Sequence, residues 1–358
     1  RRCDPGAGHP ALAHGQAMAS GRCARDRGGS LPRYVLFNSA FFIPWAEPVE
    51  RSEPQPNSVA FAPSSAQSVA SHESGFMRGA GPPMQSPYLV ENRHVAIKHC
   101  RHGLFMYNRH DTFVGRGLDL YGEWCDFEIQ ALRPFVTLGD TVIDVGANIG
   151  THTVAFANMV GPTGTVHAFE PQRRLFTMLA GNVALNGLEW AVCYQEAVGE
   201  SMGEIRLPPL PPSDTSFNYS AVSLVPNNLP RQVKKADERV PLVTLDSLDL
   251  NSCAVIKLDV EGMEPSVLMG AQHLIKGCQP ILYVEVGGPE NTKRISEILT
   301  SLNYSAYWSI HPYFDERNYY SNTVNVWPNV VWSSNIICLP QQSTVLESRW
   351  ITQVCASP

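Results

Sequence analysis

The chain has no C-x-x-C pair, no internal repeat, no apolar run of membrane-spanning length and no G-x-G-x-x-G fingerprint. Each absence removes a class. Its nine cysteines (Cys3, Cys23, Cys100, Cys125, Cys193, Cys253, Cys278, Cys338 and Cys355) are odd in number and dispersed. That excludes a disulfide framework or a zinc pattern and predicts free thiols in a reducing, cytoplasmic setting. A spanning helix needs ~18 uninterrupted apolar residues. The best apolar stretch, YVLFNSAFFIPWA at 34–46, is broken by Asn38, Ser39 and Pro44. Charge is also scarce, at 17% of 358 residues with a net −6, so nothing points to nucleic acid or an anionic membrane as partner.

What is present is 44% apolar residue content, enough to build one large or two modest domains. Residues 1–85 are rich in Gly, Pro, Ser, Ala and Arg and sustain no helix or strand period, which predicts a disordered leader. Residues 86–140 read as N-terminal strands and a helix that cap the core. Alternation over 95–107 predicts short strands turning at Gly103, and 128–133 has helical character that Pro134 ends. His94, His99, Cys100 and His102 carry zinc-ligand chemistry here. Their spacing matches no standard site and no second pair completes it, so no metal is assigned to them.

From 141 to 345 the pattern alternates. Strands are predicted at 142–145, 165–169, 190–198, 255–260 and 281–286, and helices at 151–159, 173–186, 265–275 and 292–302. This is the signature of an α/β, Rossmann-like, mostly parallel doubly wound sheet. Residues 201–245 interrupt it with an edge strand at 205–207, a proline run, a loop through Asn218 and the basic residues Arg231, Lys234 and Lys235. A long excursion on a rigid sheet is either a functional loop or a solvated one. The aromatic stretch 304–339 predicts a closing antiparallel hairpin, with Val330-Val331 or Ile336–Cys338 as its strand and Pro340 as its stop. Residues 346–358 read as a tail.

The chemistry concentrates in TVIDVGANIGTHTVAF, 141–156: an apolar strand, a glycine-rich turn and a helix start. Such a turn lets a ligand approach free backbone N–H groups. A dinucleotide fingerprint would need Gly at 148 and 151, where Asn148 and Thr151 stand. Asp144 would repel phosphates and suits a cation. Glu170, in HAFEP (167–171), closes the next strand ~20–25 residues past the turn, where α/β nucleoside sites hold a ribose. A cationic nucleoside, S-adenosylmethionine, meets all these demands. Further on, Lys257, Asp259 and Glu261 alternate along IKLDVEGME (256–264), with Glu285 at the end of the following strand. Lys257 pairs one of these acids, or the acids serve a ligand at the carboxyl edge of the sheet.

The segments DVGANIG (144–150), FEP (169–171), NVALNGL (182–188), AVG (197–199), TLDSL (244–248), IKLDVEGMEPSVLMGA (256–271) and ILYVEV (281–286), with YGEW (121–124) upstream, together resemble the FkbM family of methyltransferases. The likeness covers about residues 100–340. D-x-G-x-x-x-G alone is generic to class I methyltransferases, whereas the KLDVEG block after TLDSL is much more specific. The resemblance implies a Rossmann-like class I enzyme that methylates oxygen with S-adenosylmethionine. It implies that Asp144, Gly146, Asn148 and Gly150 hold the methionine portion, Glu170 the ribose, and Glu196, Ala197 and Val198 the adenine. Asp259 would then sit beside the sulfonium and acceptor. The family's substrates make a small-molecule, sugar, glycan or polyketide-like hydroxyl the expected acceptor.

A hydroxyl acceptor needs a base. The sequence offers Asp259, Glu261, Glu285, His152 and His311, and Asp259 with Glu261 can also hold a divalent cation. Two rivals remain: an NAD-linked oxidoreductase on a similar fold, which Asn148 disfavours, and a non-catalytic cofactor- or glycan-binding scaffold.

Overall fold

The computed structural model describes residues 88–208, 210–221, 238–328 and 332–341. The expectations for 1–85, for Arg231, Lys234 and Lys235, for Val330-Val331 and for the tail 346–358 lie outside these residues.

The main sheet is built from β4 (Thr141–Val145), β5 (Thr165–Phe169), β6 (Ala191–Tyr194), β10 (Val255–Leu258), β11 (Ile281–Glu285), β12 (Tyr304–Pro312) and β13 (Trp332–Pro340). Its order is β12-β13-β11-β10-β4-β5-β6. β4, β5, β6, β10 and β11 run parallel, and β13 inserts antiparallel between β11 and β12. The predicted hairpin is therefore present, with Tyr304–Pro312 as its first strand. The chain first adds strands on one side of β4, then returns to the other. That reversal opens a crevice beyond the carboxyl ends of β4, β5 and β10.

The strand pleat divides the core in two. Val142, Val255, Tyr283 and Ile337 face one layer with helices α1 (Val114–Tyr121), α3 (Thr151–Val160) and α4 (Arg173–Leu185). Ile143, Ile256, Leu282, Val284 and Cys338 face the other, against α5 (Glu264–Met269), α6 (Gln272–Cys278) and α7 (Pro289–Ser301). Parallel strands covered on both faces are apolar throughout, which is why they read as continuous runs. Each buried Leu, Ile or Val here contributes ~1.5–3 kcal/mol.

Two predicted elements split. The 190–198 strand becomes β6 and β7 (Ala197–Val198), because β7 leaves the main sheet. It pairs with β9 (Glu238–Val243), which also pairs with β8 (Gly203–Leu207). The 265–275 helix breaks at Gly270-Ala271 into α5 and α6. The break is tied at TLDSL, where Asp246 accepts from the N–H groups of His273 (3.1 Å) and Leu274 (2.9 Å) at the start of α6.

An N-terminal sheet of β1 (Val90–Glu91), β2 (Val95–Cys100) and β3 (Gly103–Asn108) docks on α4 through two asparagines. Met106 N donates to Asn182 Oδ1 (2.6 Å) and Asn182 Nδ2 donates to Met106 O (3.0 Å). Leu104 N and O pair with Asn186 in the same way, at 2.8 Å each. Residues i and i+4 of a helix lie about 6 Å apart along its axis, close to the i, i+2 spacing of a strand, so the NVALN pair serves as a substitute strand edge. The helix expected at 128–133 is α2 (Asp126–Leu132), continued by a 3-10 turn over Arg133–Phe135.

The C-terminal aromatics mostly build core. Trp124 stacks on Tyr313 with centroids 5.5 Å apart, and Phe113 stacks on Trp327 at 5.8 Å. The His94, His99, Cys100 and His102 group does not converge. His102 bonds Asp126 (2.6 Å), His94 bonds Ser213 (3.2 Å), and Cys100 is buried. The six described cysteines are free, and among the described residues no helix is long and apolar enough to cross a membrane.

Candidate active site

An open cleft of about 460 Å³, solvent space included, lies in the crevice beyond the strand ends. Its walls are Gly146 and Asn148 after β4, Glu170 to Gln172 with Leu175 after β5, Asp259 to Glu261 after β10, and Ser220 from the interrupting loop. The sequence-predicted Gly146, Asn148, Glu170, Asp259 and Glu261 are thus brought together. Glu285 joins them from β11: oxygens of Asp259, Glu261 and Glu285 lie within 4.8 Å of one another, the one group of this kind among the described residues.

The turn is shaped by packing. At Gly146 the backbone has φ +78°, and a Cβ there would overlap the Asp259 carbonyl oxygen. Glycine therefore lets the β4 and β10 loops cross in contact. Gly150 faces α4, where a Cβ would meet Leu179 Cδ1 at 2.7 Å. Asn148 takes φ +53°, a conformation asparagine tolerates, and its Oδ1 accepts from Ile149 N (2.8 Å).

Glu170 ties the walls together. Its Oε2 accepts from Asn148 N (3.0 Å) and its Oε1 from Gln172 N (2.8 Å). Burial pushes its carboxyl up to about 8, against the lowering effect of those two N–H groups. Gln172 is 8% exposed, and its side-chain Oε1 has no hydrogen-bond partner.

Asp144 lies elsewhere. It is fully buried on the α3 face of β4, accepts from Thr153 Oγ1 (2.7 Å) and stands 3.4 Å from Lys257 Nζ. Its Oδ2 is taken by Thr153, its Oδ1 faces the Lys257 ammonium without a hydrogen bond, and the residue does not line the cleft. Lys257 Nζ is also 3.4 Å from Asp259 Oδ2. Burial pulls the Lys257 ammonium down, but Asp259, Asp144 and Glu128 outweigh it and hold it above its ordinary value. The Asp259 charge, then burial, then Glu261 push Glu285 well above its ordinary value.

The remaining candidates stand apart from the walls. His152 is buried with Nε2 3.2 Å from Glu128 Oε2. His311 is buried on β12, its Nε2 2.7 Å from Ser309 Oγ. Glu196 is half-buried and Ala197 belongs to β7; neither lines the cleft. Sequence reasoning missed Gln172, Leu175, Val260 and Ser220. For Gln172 a signal existed: a poor capping residue directly before the helix that follows Glu170.

A mostly parallel sheet in this order, with an inserted antiparallel strand and a cleft at its switch point, is the α/β, Rossmann-like, doubly wound arrangement that the sequence predicts. Residues 144–306 match the family model described as the methyltransferase FkbM domain. No curated protein matches. Among solved structures, the FkbM methyltransferase of Methylobacillus flagellatus KT is 16% identical with a TM-score of 0.35, covering 56% of this chain and 43% of its own. The alignment thus spans less than half of that protein. A Thermotoga maritima SAM-dependent O-methyltransferase is 12% identical (TM-score 0.34; 68% and 76% covered). M. jannaschii TYW2, solved in complex with AdoMet, is 12% identical (TM-score 0.37; 70% and 87% covered). At these TM-scores the likenesses bear on neither substrate nor mechanism.

Proposed function

We propose that the chain transfers a methyl group from S-adenosylmethionine to a hydroxyl of a sugar, glycan or natural-product acceptor. The observation that carries the reading is the cleft that joins Glu170 to the Asp259, Glu261 and Glu285 acids at the switch point of an FkbM domain. The wall residues fit the cofactor. Each Glu170 oxygen takes one backbone N–H and has a second lone pair free, so the carboxylate can accept from two vicinal ribose hydroxyls. The acid cluster suits the positive charge.

When bound, the cofactor supplies an electrophilic methyl group on a cationic sulfur. Glu170 anchors and the cleft aligns, which accounts for much of the rate in an in-line displacement. Asp259 accepts the acceptor hydroxyl's proton. The Lys257 ammonium, 3.4 Å away, pairs with the Asp259 carboxylate. Glu285, which is hydrogen-bonded to Asp259, positions that carboxylate. The three acids are also close enough to share a divalent cation. Because Lys257 already brings a positive charge to Asp259, the cluster is assigned to proton transfer.

The test is incubation with methyl-labelled cofactor and a panel of sugars, glycolipids and metabolite extracts. Label should pass to a hydroxyl-bearing acceptor. No label above an E170A control, with every acceptor class tried, contradicts the reading.

A further inference from the structure

Glu261 stands where the backbone disfavours it. The turn from Val260 to Met263 closes with Met263 N donating to Val260 O (3.3 Å), and both central residues have positive φ, +53° at Glu261 and +104° at Gly262. Such turns favour Gly, Asn or Asp, because a left-handed backbone crowds the Cβ of other residues. A Glu261 carboxylate oxygen also lies within 4.8 Å of oxygens of Asp259 and Glu285, where each acid opposes ionisation of the others. A residue held in such a place persists only where its surroundings over-determine it.

Glu264 supplies that constraint. Its Oε1 accepts from the N–H groups on both sides of Glu261, Val260 N and Gly262 N, at 3.1 Å each. Its Oε2 accepts from Asn291 Nδ2 on α7 at 2.6 Å. Glu264 is 1% exposed and opens α5. An acid at a helix start ordinarily serves that helix's own free N–H groups, whereas Glu264 reaches back to the turn before it. The bond to Val260 N also holds the peptide that follows Asp259. The C=O of that peptide faces Gly146, where a Cβ would overlap it, and the N–H of Asp259 donates to Val145 O (3.1 Å). Both peptides flanking Asp259 are therefore fixed, one of them by Glu264.

We infer that Glu264 is a positioning residue: its carboxylate, braced by Asn291, holds the backbone of 259–262 so that the Asp259 and Glu261 side chains converge at the cleft. The inference rests on the reading of Asp259 as the proton acceptor in methyl transfer. The role requires an acceptor oxygen at that place and no charge. Glutamine keeps the oxygen, and Asn291 can turn its amide over to accept from the new Nε2. Methionine keeps the length and removes both oxygens.

The experiment compares wild type, E264M and E264Q by residue-resolved hydrogen exchange and by the rate of transfer from methyl-labelled S-adenosylmethionine to the sugars, glycolipids and metabolite extracts. In E264M the Val260 and Gly262 amides should exchange about 10-fold faster, the worth of one hydrogen bond each. Amides within β10 and β11 should keep their wild-type rates, which separates the loop from the fold. Transfer by E264M should slow about 10–10²-fold, the cost of a misplaced reacting group. E264Q should return both readouts close to wild type. Should E264M fail to fold, N291A, which removes only the brace, takes its place with the same direction of change expected. If wild type transfers label and the disrupting variant does so equally fast, or if E264Q is as slow as E264M, Glu264 does not position the acids through these bonds, and the methyl-transfer reading stands. If wild type transfers no label, that reading falls and the positioning role falls with it.

Discussion

Lys257 and Asp144 face each other as direct partners in the parallel register of β10 and β4, with Nζ 3.4 Å from Oδ1 and both side chains at most 3% exposed. Removing one member of a buried pair strands the other charge. K257M should cost about 3–5 kcal/mol in urea unfolding, and the double variant K257M/D144L should recover part of the loss. A K257M protein as stable as wild type would show that the pair is not what holds these strands.

Gly146 and Gly187 separate packing from backbone conformation. Both have positive φ, at +78° and +64°, but a Cβ at 187 meets nothing within 4 Å, whereas one at 146 overlaps the Asp259 carbonyl. G187A should lose only the ~1–2 kcal/mol of a left-handed non-glycine residue. G146A should lose a further ~1–3 kcal/mol and weaken cofactor binding, since it drives Asp259 away. Equal costs in chemical denaturation would contradict the crossing of the two loops.

Glu170 sets a pH dependence whose sign is fixed. Its carboxyl is raised from 4.5 to about 8 by burial. The folded state therefore holds a proton that the unfolded state releases. The stability from this group is fully present below about 4.5 and is lost as pH rises through about 8. Cofactor hydroxyls need the ionised form, so affinity should rise with pH up to about 8 and binding below that pH should release a proton. Calorimetry in two buffers of different ionisation enthalpy measures the release. E170Q should show none, and a wild type whose affinity ignores pH would refute the assignment.

The fold was legible where chemistry is local. TVIDV and VHAF are apolar runs bounded by turn residues, and they form β4 and β5 within a residue of expectation. The helix α1 was not legible because Gly115 and Gly117 depress helix propensity. In the fold both are required by packing: a Cβ at 117 would sit 2.8 Å from the Trp124 ring. The strand β9 was hidden by Pro241 and by its non-local partners β7 and β8. In the site, Glu170 and Asp259 were legible from their strand ends, whereas Ser220 arrives through a loop whose course no periodicity encodes. Asp144 read as a ligand-facing acid. Its alternation with Val142 instead directs it into the α3 layer, a distinction that depends on which face of the strand is covered.

Glu285 and Asp259 should respond differently to amide substitution. The Asp259 charge and burial raise the Glu285 carboxyl well above its ordinary value, so E285Q, which supplies a neutral donor, should retain methyl transfer within about 10-fold, whereas D259N removes the proton acceptor and should cost about 10²–10⁴ in kcat. A chelator should leave the rate unchanged, because Lys257 neutralises Asp259. Loss of activity on chelation, restored by Mg²⁺ or Mn²⁺, would reassign the three acids to a metal.

The central claim is that the cleft at the ends of β4, β5 and β10 holds S-adenosylmethionine through Glu170. Titration of S-adenosylmethionine and S-adenosylhomocysteine into wild type and E170A, followed by calorimetry, tests it most directly. The account predicts saturable one-to-one binding to wild type and its loss in a folded E170A. Equal binding to both proteins, or no binding to wild type, would contradict it.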